Sequence, residues 1–303
     1  MAVNFRAVSV ALKRFTPFHS PIWPLRKSGF CCKMSTESPP LSHCITLPNK
    51  QNEPVHIVAA PGVSRSDFWS AIESSLFKQW LHNLQTENGV LSDGTMALRQ
   101  VLIQGVDMFG KRIGFLKFKA DIFDKQTGKK VPGIVFARGP AVAVLILLES
   151  EGETYAVLTE QARVPVGRII LELPAGMLDD DKGDFVGTAV REVEEETGIK
   201  LNIEDMVDLT AFLDSTTGSR VIPSPGGCDE EISIFLYKGR VDKEIITQLQ
   251  GKETGLREHG ELIKLRVVPY NKLWHSTADC KVLVAVALLE MATKEGLLLP
   301  LSA

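Results

Sequence analysis

The chain predicts a mixed α/β layer fold on three observations. Short apolar runs of strand character recur between Met96 and Pro269, a helical segment from Phe185 to Thr197 with a strongly helix-forming second half interrupts them, and an apolar helical stretch from about Asp279 to Lys294 follows. Strands around one central helix, closed by a terminal helix, bury their apolar faces most simply as layers. The 303 residues, 44% hydrophobic and 23% charged, suffice for one large or two modest domains and argue against a disordered chain.

The first 36 residues hold Arg6, Lys13, Arg14, Arg26, Lys27 and Lys33 and no acidic residue. Rich also in Ser, Phe, Pro and Ala, this stretch has the composition of an organelle transit peptide, and its hydroxylated, Pro-punctuated texture favours the plastid over the mitochondrion. The alternative is a plain basic tail. Without those six, 28 basic residues face 37 acidic ones, a net charge of -9, so an acidic body follows a basic leader, assigned to residues 1–45. Such a body gives no electrostatic reason to expect nucleic acid as a partner. No run approaches the roughly 18 apolar residues of a membrane span. Cys31, Cys32, Cys44, Cys228 and Cys280 are odd in number and lack zinc-ligand spacing, so no disulfide framework is expected.

Pro39, Pro40, Pro48, Pro54, Pro61 and Gly62 make residues 35–65 a linker with at most a short strand. From Ser66, a plausible N-cap, the spacing of Trp69, Ile72, Leu76, Trp80 and Leu84 predicts a helix whose aromatics enter a core. The runs ALRQVLIQGVDMF, RIGFLKFKADIF and VPGIVFARG then read as extended segments between glycine-bearing turns. Residues 46–135 are accordingly assigned to an N-terminal helix and antiparallel-strand subdomain, and 136–303 to a second domain. Its first elements, AVAVLILLE and TYAVLTEQARV, flank a turn at Ser150 to Glu153 and predict a hairpin of buried strands. RIILEL leads to Pro174; VDLTAFLD, EISIFLYKGRV and ELIKLRVVP are further strand candidates.

The most informative stretch is LPAGMLDDDKGDFVGTAVREVEEETG, Leu173 to Gly198. Asp184 can cap the predicted helix and Gly198 can stop it. On that helix Glu192, Glu195 and Glu196 are three and four positions apart and share a face, while Ala189 and Val193 lie elsewhere and can meet a sheet. Carboxylates so close repel unless a cation sits among them, and magnesium takes oxygen ligands of this kind. Spacing alone leaves a solvated acidic face equally open.

The segment resembles the signature of the Nudix hydrolases, G-x5-E-x7-R-E-U-x-E-E-x-G-U with U aliphatic, and its second half, Arg191 to Ile199, matches completely. The first half departs: 14 residues separate Gly176 from Arg191 where the pattern has thirteen, and the early glutamate is replaced by Lys182 or Gly183. Glu160, Gln161 and Arg163, the LPAG mouth, the loop Ser224 to Glu230, and Glu258-His259-Gly260-Glu261 resemble the ADP-ribose and ADP-sugar diphosphatase branch. With its basic leader the chain most resembles plastid members of that branch from plants.

The resemblance implies an α/β/α sandwich with a mixed sheet and a metal-dependent hydrolase that splits ADP-glucose or ADP-ribose into AMP and a sugar phosphate. It further implies magnesium, with manganese as the other possibility, held by Glu192 and Glu196, with Glu195 assisting and the Ala175 carbonyl completing the sphere. Glu261 is implied as a further ligand or base, with Glu258 or His259 as alternatives. Arg163 is implied to meet substrate phosphate, and Gly226 and Gly227 to belong to a loop bordering the substrate. A homodimer using the N-terminal strands is implied as well. Two other functions stay open: hydrolysis of another nucleotide sugar or dinucleotide cofactor, and non-catalytic sensing of an ADP-containing metabolite.

Overall fold

The computed structural model describes residues 40–48, 54–178, 184–256 and 260–299. Most of the basic leader lies outside the described residues, and Pro39–Ala303 is one compact unit.

Two strands, β1 (Ser42–Ile45) and β2 (Val55–Ala59), stand where a linker with at most one was expected, and β1 falls inside the stretch assigned to the leader. The reason is alternation: Val55, Ile57 and Ala59 are buried, and β1 pairs antiparallel to this strand with Cys44 opposite His56. The expected single helix is two, α1 (Arg65–Glu73) and α2 (Ser75–Asn83). Ser74 adopts an extended conformation; its N–H reaches Ala71 O and its hydroxyl accepts from Phe77 N at 3.2 Å, ending one helix and capping the next. Ser64 rather than Ser66 caps α1, accepting from Asp67 N at 3.0 Å. Trp69, expected in the core, is 38% exposed and stacks edge-on against His43, whereas Phe68, Phe77 and Trp80 are buried.

β3 (Met96–Phe109) and β4 (Arg112–Asp124) form a long bulged hairpin, with β5 (Ile134–Ala137) on its far side. The sheet order is β1-β2-β3-β4-β5, β2 running parallel to β3 through the helical crossover α1–α2. Leu116, Phe118, Ala120 and Ile122 alternate inward on β4, and Trp80 meets Phe118 at 4.6 Å between ring centres.

The second sheet begins with the expected hairpin, β6 (Ala141–Ser150) and β7 (Glu153–Arg163). β8 (Arg168–Glu172) and β9 (Ala175–Met177) lead into α3 (Phe185–Thr197), and β10 (Met206–Asp208) follows. β10 is far shorter than VDLTAFLD because the Asp208 carboxylate accepts from Thr210 N, Thr210 Oγ1 and Ala211 N and turns the chain. The remaining elements are β11 (Ile232–Arg240), α4 (Lys243–Leu249), β12 (Glu253–Thr254), β13 (Ile263–Pro269), α5 (Tyr270–Ser276) and α6 (Cys280–Lys294).

Strand order is β10-β11-β6-β7-β13-β12, with β6 and β11 parallel and the other pairs antiparallel. Odd residues Ala141 to Leu147 of β6 face α5 and α6, through Leu273, Val282, Ala285 and Leu289. Even residues Val142 to Leu148 face α3 and α4, through Ala189, Val193, Ile246 and Leu249. The sheet is therefore covered on both faces, the α/β/α sandwich that the sequence led us to expect, and its central strand is almost uniformly apolar for that reason. β6 and β7 pair only from Ile146 and Val157 to the turn; beyond that they diverge, β9 taking the vacated edge of β6 and β8 that of β7. The acidic helix lies over this split.

Candidate active site

Helix α3 is built as its sequence dictates. Asp184 accepts from Gly187 N at 2.9 Å at the start, and Gly198 at φ +73 ends it with its N–H on Glu194 O. Ala189 and Val193 are fully buried against the sheet, which fixes the helix's rotation. That rotation turns Glu196 into the divergence of β6 and β7.

Glu196 is 7% exposed. Its Oε1 accepts from Gln161 Nε2 at 3.0 Å and its Oε2 from Ala175 N at 3.1 Å, so one strand on each side of the split grips the same carboxyl. Burial, with the nearby Glu192 charge adding to it, pushes the Glu196 carboxyl up to about 8 despite these donors. Glu192 lies against Gly176 and is 3.5 Å from the Arg191 guanidinium. Gly176 is required by that approach: a Cβ there would stand 1.9 Å from Glu192 Cδ. The structure thus brings Ala175, Gly176, Glu192 and Glu196 together. Glu195 is half-buried on the same helix.

Among the described residues no three His, Cys, Asp or Glu side chains are grouped closely enough to hold a metal ion. Two carboxylates and a backbone carbonyl are nevertheless a donor set that suits magnesium, which keeps several waters and shares its remaining positions with substrate phosphates. The buried Glu196 carboxyl beside Glu192 is the observation that fits a cation, because such a neighbour relieves both the burial and the like charge.

Arg163 forms a bidentate pair with Glu172, Nε to Oε1 at 2.5 Å and Nη2 to Oε2 at 3.1 Å. Glu172 also accepts from Lys281 Nζ at 2.8 Å, and Lys281 reaches Asp279 Oδ1 at 3.1 Å. Burial opposes ionisation of Glu172, but its two cationic partners prevail and hold it below the usual carboxylate range. Sequence reasoning missed Glu172, Lys281 and Asp279; the available signal was a lone carboxylate in RIILEL and a lysine in the first turn of an apolar helix.

Glu261 is placed in its own loop, its carboxylate accepting from Leu256 N at 3.2 Å. Glu258 and His259 lie outside the described residues. The loop carrying Gly226 and Gly227 docks on β5: Gly227 O accepts from Phe136 N at 2.8 Å, and Asp229 Oδ1 from Arg138 N and Gly139 N. A Cβ at either glycine would meet open space, so close packing does not explain them.

A cleft of about 930 Å³ opens beside this centre, between the N-terminal helices with the β3–β4 turn and the second sheet. Met177 and Leu178, directly after Gly176, line it together with Phe185, Arg220, Arg138 and Glu231. Phe185 is seven residues before Glu192, two turns along the same helix, and the Arg220 guanidinium sits 4.4 Å from its ring centre. Arg138 Nε is buried without a hydrogen-bond partner among the described residues, and its guanidinium lies 3.4 Å from Glu230. Phe185 and Arg220 were not singled out from the sequence, since a helix-opening aromatic and a loop arginine carry no signature of their own.

The family model described as the NUDIX domain matches residues 137–283. The chain is 74% identical over 266 residues to Nudix hydrolase 14, chloroplastic, of Arabidopsis thaliana, covering 88% of this chain and 86% of that protein. It is 32% identical over 209 residues to the ADP-ribose pyrophosphatase of Bacillus subtilis (strain 168), covering 68% of this chain and 96% of that one. The methanol dehydrogenase activator of Bacillus methanolicus is 32% identical over 142 residues, 47% of this chain and 68% of its own.

Proposed function

This chain belongs to the Nudix hydrolase family, and from that premise we propose that it hydrolyses the diphosphate bond of ADP-sugars, ADP-glucose and ADP-ribose, to AMP and a sugar phosphate. The observation that carries the reading is the Glu196 carboxyl gripped at the split of the sheet, with Glu192, Arg163 and a large mixed cleft beside it. The relative named ADP-ribose pyrophosphatase, matched over nearly its whole length, supports this choice of substrate class.

Glu192 and Glu196 would hold magnesium, with the Ala175 carbonyl and Glu195 as further oxygens. Bound there, the ion would neutralise the diphosphate and polarise the phosphorus under attack. Gln161 and the Ala175 amide fix the direction of the Glu196 carboxylate. Glu172 grips one edge of the Arg163 guanidinium and leaves the opposite edge for a phosphate. Glu195, Glu261 and Glu258 are the candidate proton acceptors. The loop of Gly226 and Gly227, tied to β5, would border the cleft that receives a substrate half.

We further propose that the protein works in the plastid, as the name of the Arabidopsis relative says of that protein, and as a homodimer. Exposed Met108 and Phe109 on β3, with Ile134 and Phe136 on β5, make an apolar rim for a second copy to cover. Among the described residues no helix is long and apolar enough to cross a membrane.

The deciding experiment is a magnesium-dependent turnover panel of ADP-glucose, ADP-ribose, UDP-glucose and NADH. Higher kcat/KM for the two ADP-sugars is expected. Equal or faster turnover of UDP-glucose or NADH would overturn the reading.

A further inference from the structure

We propose that Lys281 is a positioning residue for Arg163, acting through Glu172 from the opposite helical layer. The inference rests on the reading that Arg163 meets the substrate diphosphate. Arg163, Glu172, Lys281 and Asp279 form one ion cluster of zero formal charge, in which Arg163 is 42% exposed at its side chain and the other three 15% or less. Arg163 is therefore the member that a ligand can reach. Its carboxylate partner is shared unequally: among the described residues Oε1 takes only Arg163 Nε, while Oε2 takes both Arg163 Nη2 at 3.1 Å and Lys281 Nζ at 2.8 Å.

Lys281 opens α6, whose Val282, Ala285 and Leu289 are buried on the sheet face away from α3. Its ammonium nevertheless reaches Glu172, which stands opposite Thr159 on β7, the strand that carries Gln161 and Arg163. Thr277 ties the same region down, its hydroxyl donating to Leu171 O at 2.5 Å. Glu172, 6% exposed, is too buried to lose its compensating charge cheaply. Lys281 supplies part of that charge permanently. Glu172 can then orient Arg163 by one edge without monopolising it, and the guanidinium can lean towards a phosphate without leaving a buried carboxylate unpaired. Asp279, with Oδ1 on Lys281 and Oδ2 buried without a partner among the described residues, anchors the ammonium rather than the guanidinium.

Lys281→Met removes the shared charge and should lock Arg163 onto Glu172. In the ligand-free protein, exchange of the Arg163 Nε–H with water, read by NMR, should slow at least threefold. With ADP-ribose, KM should rise roughly tenfold while kcat changes less than twofold, and Lys281→Arg should restore both. Arg163→Lys should abolish the effect, so that the double variant Arg163→Lys, Lys281→Met has the KM of Arg163→Lys alone, as coupled residues require. Unchanged exchange, additive KM effects, or equal losses of kcat and thermal stability would overturn the proposal in favour of a structural ion pair. If Lys281→Met does not fold, Lys281→Gln carries the same measurements. If the wild-type protein turns over neither ADP-sugar, the functional reading fails, while the exchange measurement still decides whether Lys281 controls Arg163.

Discussion

The Glu192 carboxylate lies so close over Gly176 that a methyl group at Gly176 would stand 1.9 Å from Glu192 Cδ and 2.2 Å from Oε1. Gly176 does not have a positive φ, so the demand comes from space alone. The obstructing atoms are the end of a flexible side chain, which can swing away. Gly176→Ala should therefore leave the protein folded but move the Glu192 carboxylate by an ångström or more. Misplacement on that scale costs about 100-fold in rate. A Tm near that of the wild type with kcat/KM down by about that factor is expected; full activity would mean that Glu192 has no part in the chemistry.

Glu196→Gln tests the other carboxylate of the pair. The amide fits the same space and can still accept from Ala175 N, so the helix and the split sheet should hold. Turnover should fall about 100-fold or more, the loss expected when a charge that supports a metal is removed. Near-normal kcat at saturating magnesium would take Glu196 out of the ligand set.

The same residue gives a pH signature. Its carboxyl is raised from 4.5 to about 8 in the folded protein, chiefly by burial and then by Glu192, so the native state holds a proton that the unfolded chain releases. Stability from this group is complete below about pH 4.5 and is lost as pH rises through about 8. Without divalent metal, Tm of the wild type should fall between pH 5 and 8.5 by about 2–4 °C or more relative to Glu196→Gln, the scale of 1 kcal/mol in a domain of this size. Magnesium should remove most of the difference by favouring the ionised carboxylate. Parallel pH profiles for the two proteins would show that Glu196 is not the buried acid.

The helix and its ends were legible because local rules governed them: Asp184 caps, Gly198 stops, and Ala189 and Val193 fall on the buried side. The unbroken apolar run of β6 and the alternation along β4 were readable in the same way. What the sequence hid was set by distant partners. Glu172 and Lys281 are 109 positions apart and meet only because β8 fills the gap where β7 leaves β6. The break at Ser74 turned on a single hydroxyl choosing Phe77 N, and on the helix before it Phe68, Ala71 and Ile72 take the buried face and leave Trp69 outside. Phe185, next to the capping residue, reads as an ordinary helix-opening aromatic until Arg220 is brought over it.

That Phe185–Arg220 contact yields the last prediction. The pair stands two helical turns from Glu192 and lines the cleft, so a substrate whose diphosphate lies at the carboxylates has one half within reach of it. A cation–π contact of this kind is worth about 0.5–2 kcal/mol, and a substrate group packed on its open face gains on a similar scale. Arg220→Met should raise KM for ADP-glucose or ADP-ribose about tenfold, and Phe185→Leu should do the same with a smaller loss. The magnesium concentration for half-maximal rate should not move, because neither residue belongs to the carboxylate pair. Should KM stay constant while magnesium dependence shifts, the cleft would be excluded as the substrate's seat and the contact would be a brace for the start of α3.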